Sequence, residues 1–224
     1  PTPQTLMGAV RTWFLKALDC DFELLKQDIH AGLSWSEALA EQELEAVAQI
    51  RLQGPWLNRL SNPQQVFLPV PASLGRSKKS VLPEIPCLRP KRQPLPGWSP
   101  PWSGLKPLWL PQKKQLENLS GLISLQGMSQ FLAGQVPDAS EIFAAEQLYQ
   151  FEERTGIGIQ AQSQSAEDGM IYAVRLLRLL PDMGFYAEIE WPEQLKPHLP
   201  QENWIFPWGG EGRRVVAQQI SPVT

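Results

Sequence analysis

At 224 residues, 42% of them apolar, the chain is long enough for one large core or two small ones, and its composition excludes a disordered polymer. A formal net charge of −3 carries no overall signature of nucleic-acid binding, although a total hides how charge is distributed. The two cysteines, Cys20 and Cys87, form no CxxC pair, zinc knuckle or disulfide framework. With no signal-peptide pattern and no run of about 18 apolar residues, the expected compartment is the cytoplasm.

The chain opens with PTPQTLMGAVRTWFLKAL. Leu6, Met7, Val10, Trp13, Phe14, Ala17 and Leu18 recur at helical spacing, with Arg11 and Lys16 on another face. Gly8 costs this helix about 1 kcal/mol relative to Ala, which only a close approach to its backbone would offset. Ser34-Trp35-Ser36-Glu37 has the form of a capping box, and Leu39, Leu44, Val47 and Leu52 continue a second helix that Gly54-Pro55 should end. Residues 19–50 hold eight acidic side chains against one lysine, as a solvated helix face does. Val66-Phe67-Leu68-Pro69-Val70 reads as a short strand entering a proline turn.

Composition then changes. From Arg76 to Lys114 there are nine basic side chains, Lys78 and Lys79 among them, against Glu84 alone, a local charge of +8. Trp98, Trp102 and Trp109 are interleaved with them among many prolines. Such an excursion can track phosphates and stack bases, or it can be a solvated loop pinned by its tryptophans. Asn118-Leu119-Ser120 matches a glycosylation acceptor, a triplet that arises easily by chance. GLISLQGMSQFLAG, from Gly121 to Gly134, predicts a short strand or turn and then a helix ending at Gly134. Asp138-Ala139-Ser140-Glu141 is a second capping-box candidate, with Ile142, Phe143 and Leu148 as a helical face.

The C-terminal part is strand-like. Residues 157–162 alternate, Glu167-Asp168-Gly169 offers a turn, Met170–Leu180 is the next strand with Tyr172, Val174, Leu176 and Leu177 as its apolar content, and Pro181-Asp182-Met183-Gly184 turns the chain again. Phe185, Ala187, Ile189 and Trp191 alternate with Tyr186, Glu188 and Glu190. A short helical piece fits Pro192–His198, and a last strand fits Val215–Ile220. The pattern is that of an α+β fold with antiparallel sheets.

Catalytic signatures are sparse. His30 and His198 stand alone, and there is no HExxH, GxSxG elbow or Walker loop. Gly156-Ile157-Gly158 is no dinucleotide fingerprint, and no cofactor is implied. Glu152, Glu153, Asp168 and Glu211 are the carboxylates a nuclease would recruit, but spacing alone does not make them converge. Arg154, just ahead of a glycine-punctuated strand, suits either a phosphate or an internal ion pair with Glu152 or Glu153.

Near the C-terminus, FPWGGEGRRVVAQQI combines Trp208, Gly209, Gly210, Glu211, Gly212, Arg213 and Arg214. Glycines leave backbone amides uncovered and able to form an anion-binding nest; Trp208 offers a stacking plane, and the arginines offer charge. A plain structural turn explains the same residues, and the stretch alone leaves both readings open.

Seven stretches in order carry a family likeness: PTPQTLMGAVRTWF at 1–14, FLPVPASL at 67–74, LISLQGMSQFLAG at 122–134, FEERTGIGI at 151–159, DGMIYAVRLLRL at 168–179, GFYAEIEW at 184–191 and WGGEGRR at 208–214. The chain resembles the third subunits of type III-B CRISPR Cmr RNA-targeting complexes, members of the RAMP superfamily. The resemblance implies tandem ferredoxin-like, RRM-related domains with antiparallel sheets, one over residues 1–120 with an insertion at about 76–114, the other over 121–224. A first strand ahead of the opening helix is expected and is not in the sequence. The resemblance also implies an RNA-binding subunit without catalysis. It caps the crRNA at its repeat-derived 5′ tag and contacts the large polymerase-like subunit and the backbone RAMP subunits. The RNA-binding residues it implies are Gly8, Arg11, Arg76, Lys78, Lys79, Arg154, Trp208, Gly209, Gly210, Gly212, Arg213 and Arg214. The rivals are a repeat-RNA endoribonuclease using Glu211 or Asp168, and a scaffold that touches only protein.

Overall fold

The computed structural model describes residues 2–77, 85–91, 96–110, 116–159, 166–209 and 213–220. In chain order, helices α1 (Pro3–Ala17), α2 (Phe22–His30), α3 (Trp35–Ala40) and α4 (Glu45–Ala48) come first. Strands β1 (Arg51–Arg59), β2 (Val66–Pro69), β3 (Gly75–Ser77), β4 (Arg89–Pro90), β5 (Leu108–Trp109), β6 (Leu116–Asn118) and β7 (Leu122–Ser124) follow. Then come α5 (Leu125–Leu132), β8 (Ile142–Phe143), β9 (Tyr149–Ile159), β10 (Ala166–Leu179), β11 (Met183–Glu190), β12 (Trp204–Pro207) and β13 (Arg214–Ala217). The fold is α+β with antiparallel pairing throughout the registered strands.

Two compact units form: Pro1–Trp56 with Phe185–Thr224, and Leu57–Gly184. The boundary expected at 120/121 does not separate them. Residues on its two sides pair in one sheet, Leu68 of β2 opposite Ile123 of β7, because both strands carry apolar side chains that need the same core.

In the first unit, the expected opening helix is present. Thr2 and Thr5 form its capping box, and Leu6, Val10, Phe14 and Leu15 bury one face. The Ser34 box also forms: Ser34 N donates to Glu37 Oε2 at 2.8 Å and Glu37 N to Ser34 Oγ at 3.3 Å. The Ser34 hydroxyl, and then its backbone N–H, hold the Glu37 carboxyl below its ordinary value.

The single helix expected from Ser34 to Leu52 is instead α3, a turn, α4 and the start of β1. Glu43 adopts φ +59, which ends the helical run, and Leu44 N closes back on Leu39 O at 2.8 Å. Gly54-Pro55 therefore lies inside β1 and stops no helix. Gly54 has φ +97, and a Cβ there would sit 2.9 Å from the Tyr186 carbonyl oxygen on β11, so a glycine is required.

The core gathers Phe14, Leu39, Val47, Ile50, Leu195 and Phe206. Trp13 stacks on Trp204 with centroids 5.2 Å apart, and Phe14 meets Trp191 and Trp204 at 5.4 and 6.3 Å. These rings fix α1 to β12. The expected alternation of β11 holds for Ala187, Ile189 and Trp191, which pack on this core, and for exposed Glu188 and Glu190. Tyr186 is buried as well, stacked 6.1 Å from Trp56, and its hydroxyl donates to Glu188 at 2.9 Å.

In the second unit, Leu57 and Asn58 of β1 pair with Phe67 and Val66, β2 pairs with β7, and β7 with β8. Ser124 caps α5 by accepting from Gly127 N at 3.0 Å, and its hydroxyl donates to Glu141. After Asp138 only a 3₁₀ turn, Ala139–Glu141, forms, and the helical face expected beyond it does not. Ile142 and Phe143 pair with Ile123 and Leu122 in β8, and Phe67 meets Phe143 edge-on at 4.9 Å. The Asp138 carboxylate accepts from the Gln130 side chain and caps nothing. β9 and β10 form a two-stranded ribbon from Tyr149↔Leu179 to Ala166↔Ile159. The turn expected at 167–169 is thus within β10, where the register against β9 shifts between Ala166 and Ile171. The turn expected at 181–184 is present: Asp182 takes φ +65, and its carboxylate accepts from Ser61 N at 2.7 Å and Ser61 Oγ at 2.6 Å.

Candidate nucleic-acid interface

β12 and β13 form a hairpin, with Trp204 opposite Ala217 and Pro207 opposite Arg214. Phe206 and Val215 face the core, so Ile205, Val216 and Arg214 take the opposite face by strand alternation. Beyond the ladder, Trp208 N donates to Arg213 O at 3.0 Å and closes the hairpin tip. Gly209 has φ +91 with open space where a Cβ would project, which is the conformation of an uncovered tip backbone. Gly210, Glu211 and Gly212 lie outside the described residues. Arg213 and Arg214 are exposed at the tip. The Trp208 ring is not a free plane: it packs edge-on against Phe185 at 5.1 Å, with its indole N–H buried and unbonded. It acts as the footing of the tip.

Gly8 and Arg11 sit on α1 in the same unit. Gly8 is exposed, and nothing lies within 4 Å of where its Cβ would project, so no described neighbour accounts for its cost to the helix. Arg11 Nη2 donates to the Ala48 carbonyl at 3.0 Å, Nε is buried without a partner, and burial pulls its pKa down. Arg11 thereby pins α1 to the end of α4.

The remaining predicted residues belong to the second unit. Arg76 pairs with Glu117 across β3 and β6 at 3.1 Å, and Arg154 pairs with Glu152 at 2.8 Å, one of the internal pairs its sequence allowed. Lys78 and Lys79 lie outside the described residues. Sequence reasoning did not single out Arg89, whose guanidinium donates to Gly134 O at 2.6 Å beyond the end of α5, nor Lys91, whose ammonium lies 4.6 Å from the Trp109 ring centroid. Both belong to the basic excursion, but only contacts distinguish them within it. Arg175, stacked 3.8 Å over Phe151, was also missed, since cross-strand register alone creates that contact.

Among the described residues no group of three or more His, Cys, Asp or Glu could hold a metal ion. Burial and the Asp21 carboxylate push the Cys20 thiol up, opposite to the need of a nucleophilic thiolate. A hollow of about 520 Å³ beside Arg51, Glu190 and Trp191 is lined by none of the predicted residues. Among the described residues no helix is long and apolar enough to cross a membrane.

An α+β chain with antiparallel sheets is consistent with a RAMP-like fold. The family described as CRISPR-associated protein (Cas_Cmr3) matches residues 1–223, and the chain belongs to it, as the sequence resemblance implied. Two solved structures share the fold. A chain of the type III-B Cmr-beta bound to cognate target RNA and AMPPnP, seen by cryo-EM, is similar with a TM-score of 0.52 and 11% identity over 99% of this chain and 55% of that one. A chain of the type III-B Cmr-beta bound to cognate target RNA gives a TM-score of 0.54 and 10% identity over 99% and 53%. The chain thus spans about half the length of the solved chains it matches. No curated protein sequence matches it.

Proposed function

We propose that the chain is a non-catalytic RNA-binding subunit of a type III-B CRISPR effector complex, built on the tandem ferredoxin-like plan of its family. In this reading it works in the cytoplasm, caps the crRNA at its 5′ tag and contacts the large polymerase-like and backbone RAMP subunits. The observation that supports it is the β12–β13 hairpin. Exposed Gly209, Arg213 and Arg214 stand at its end, and Trp208 packs on Phe185 beneath them. Backbone amides and arginines hold phosphates in register, and exposed loops read splayed bases of single-stranded RNA. Gly8 and Arg11 stand with the tip in the first unit. Arg76, Lys78, Lys79 and Arg154 supply a second set of positive charges. Because Arg76 and Arg154 are engaged by carboxylates, they contribute only by exchanging those partners for phosphates.

The test is the effector complex reconstituted with tagged and tagless guide RNA. Arg213→Glu and Arg214→Glu should abolish preference for the tagged guide while the protein stays folded. Unchanged tag occupancy in both variants refutes the assignment. Cleavage of repeat RNA by the purified chain, lost in Glu211→Gln or Asp168→Asn, would establish the nuclease instead. Protein crosslinks without RNA crosslinks would establish the scaffold.

A further inference from the structure

The proposed function leaves Trp102, the most exposed aromatic side chain among the described residues, without a role. Tryptophan is usually well covered in a folded chain. Yet Trp102 is 72% exposed, Trp109 45% and Trp98 38%, beside exposed Leu105 and Leu108. Between Ile85 and Leu110 the sequence has Arg89, Lys91, Arg92 and Lys106 and no acidic residue, a charge of +4.

The two ends of this stretch are held together. Arg89 pairs with Trp109 and Pro90 with Leu108, and Lys91 N donates to Pro107 O at 2.9 Å, which closes the loop at its neck. Arg89 also ties the neck to the end of α5 through Gly134 O at 2.6 Å. Lys91 over the Trp109 ring at 4.6 Å holds one aromatic plane and adds positive charge beside it. Pro96, Pro100, Pro101 and Pro107 restrict the loop, lowering the entropy cost of binding.

We propose that Trp98, Trp102 and Trp109, with Lys91 and Lys106, form a base-stacking platform for single-stranded RNA. The platform accepts any sequence, because every base has a π-face and the lysines meet phosphates. The charge of +4 without an acidic residue favours a polyanion over a protein partner. The inference rests on the reading that the chain handles RNA, but not on the hairpin tip.

The test measures binding of a fluorescent 15-nucleotide oligouridylate without the tag to the full chain over a salt series. Trp102→Ala and Trp109→Ala should each weaken binding about 5- to 150-fold, the range for loss of one stacked base. Trp102→Tyr should restore most of the affinity, because stacking survives. Lys106→Ala should lower the log–log salt slope by about 0.7, the value for one single-strand phosphate contact. Trp102 is so exposed that its replacement should leave thermal unfolding unchanged. No oligouridylate binding by the parent chain, or equal binding by Trp102→Ala, overturns the proposal. So does binding to anionic vesicles, or crosslinking of residue 102 to another subunit, in place of RNA. If Arg213→Glu loses tag preference while Trp102→Ala binds normally, this platform fails and the tag reading stands. The reverse pattern keeps the platform and removes the tag reading.

Discussion

Phe14→Ala tests whether the aromatic core of the first unit fixes the hairpin that carries the proposed RNA-binding tip. Phe14 has no exposed surface and meets Trp13, Trp191 and Trp204 at 5.0, 5.4 and 6.3 Å. Truncating a buried phenylalanine costs about 3–5 kcal/mol, and loss of edge-on ring pairs places this site toward the upper part of that range. At about 2–4 °C per kcal/mol for a chain of this size, the midpoint of thermal unfolding should fall by roughly 6–20 °C. That is a large share of the roughly 5–15 kcal/mol that holds a typical domain together. Phe14→Leu keeps most of the volume and should cost about 1.5 kcal/mol or less. Urea unfolding followed by tryptophan fluorescence reads both, since Trp13, Trp191 and Trp204 surround the site. Tagged-guide binding should weaken in Phe14→Ala near its midpoint and not in Phe14→Leu, although neither variant alters an RNA contact. A loss below about 1 kcal/mol for Phe14→Ala, or equal losses for the two variants, would refute the reasoning.

Gly54→Ala should destabilise by more than about 1 kcal/mol, because φ +97 strains any side chain and the new Cβ would meet the Tyr186 carbonyl; a denaturant midpoint measures it. Arg11→Ala should cost about 1–2 kcal/mol through its lost bond to Ala48 O, and Arg11→Lys should recover only part of that in the same assay. Asp182→Asn tests a pH dependence. The Ser61 hydrogen bonds, with a smaller contribution from Arg59, hold the Asp182 carboxyl below its ordinary value. A depressed folded pKa contributes stability that is present above the unfolded value, near 4, and is lost as pH falls through the folded one. The variant should therefore be less stable than the parent at pH 7, and the gap should close below about pH 4; a constant gap in urea midpoints from pH 7 to 3 refutes the linkage.

The arginine hairpin also shows how a short loop acquires direction. Gly209 takes φ +91, which glycine allows, but the attachment of the hairpin follows from aromatic residues distant in sequence. Trp204 lies on Trp13 from α1, and Trp208 lies on Phe185. Substitutions at these rings should change RNA binding through the position of the tip.

Local chemistry determined much of this protein by itself. The capping box at Ser34, the opening helix, the β7–α5 unit ending at Gly134 and the turn at Asp182 all follow from interactions spanning a few residues, and each is where those residues predict it. The ordered family stretches likewise carry the family membership in the sequence itself. Tertiary contact decided the rest. Residues 51–59 became a strand because β11 lies beside them, and Ile142 and Phe143 became a strand because β7 offers its free edge. Helical periodicity in a short apolar run cannot compete with an open sheet edge and a core to fill. The same holds for the candidate sites. Basic and aromatic residue types were visible from the start, but charge alone could not show that Arg11, Arg76 and Arg154 have partners within the protein while Trp102 faces solvent. Partners and exposure are properties of the folded chain, because they depend on residues brought together from distant parts of the sequence.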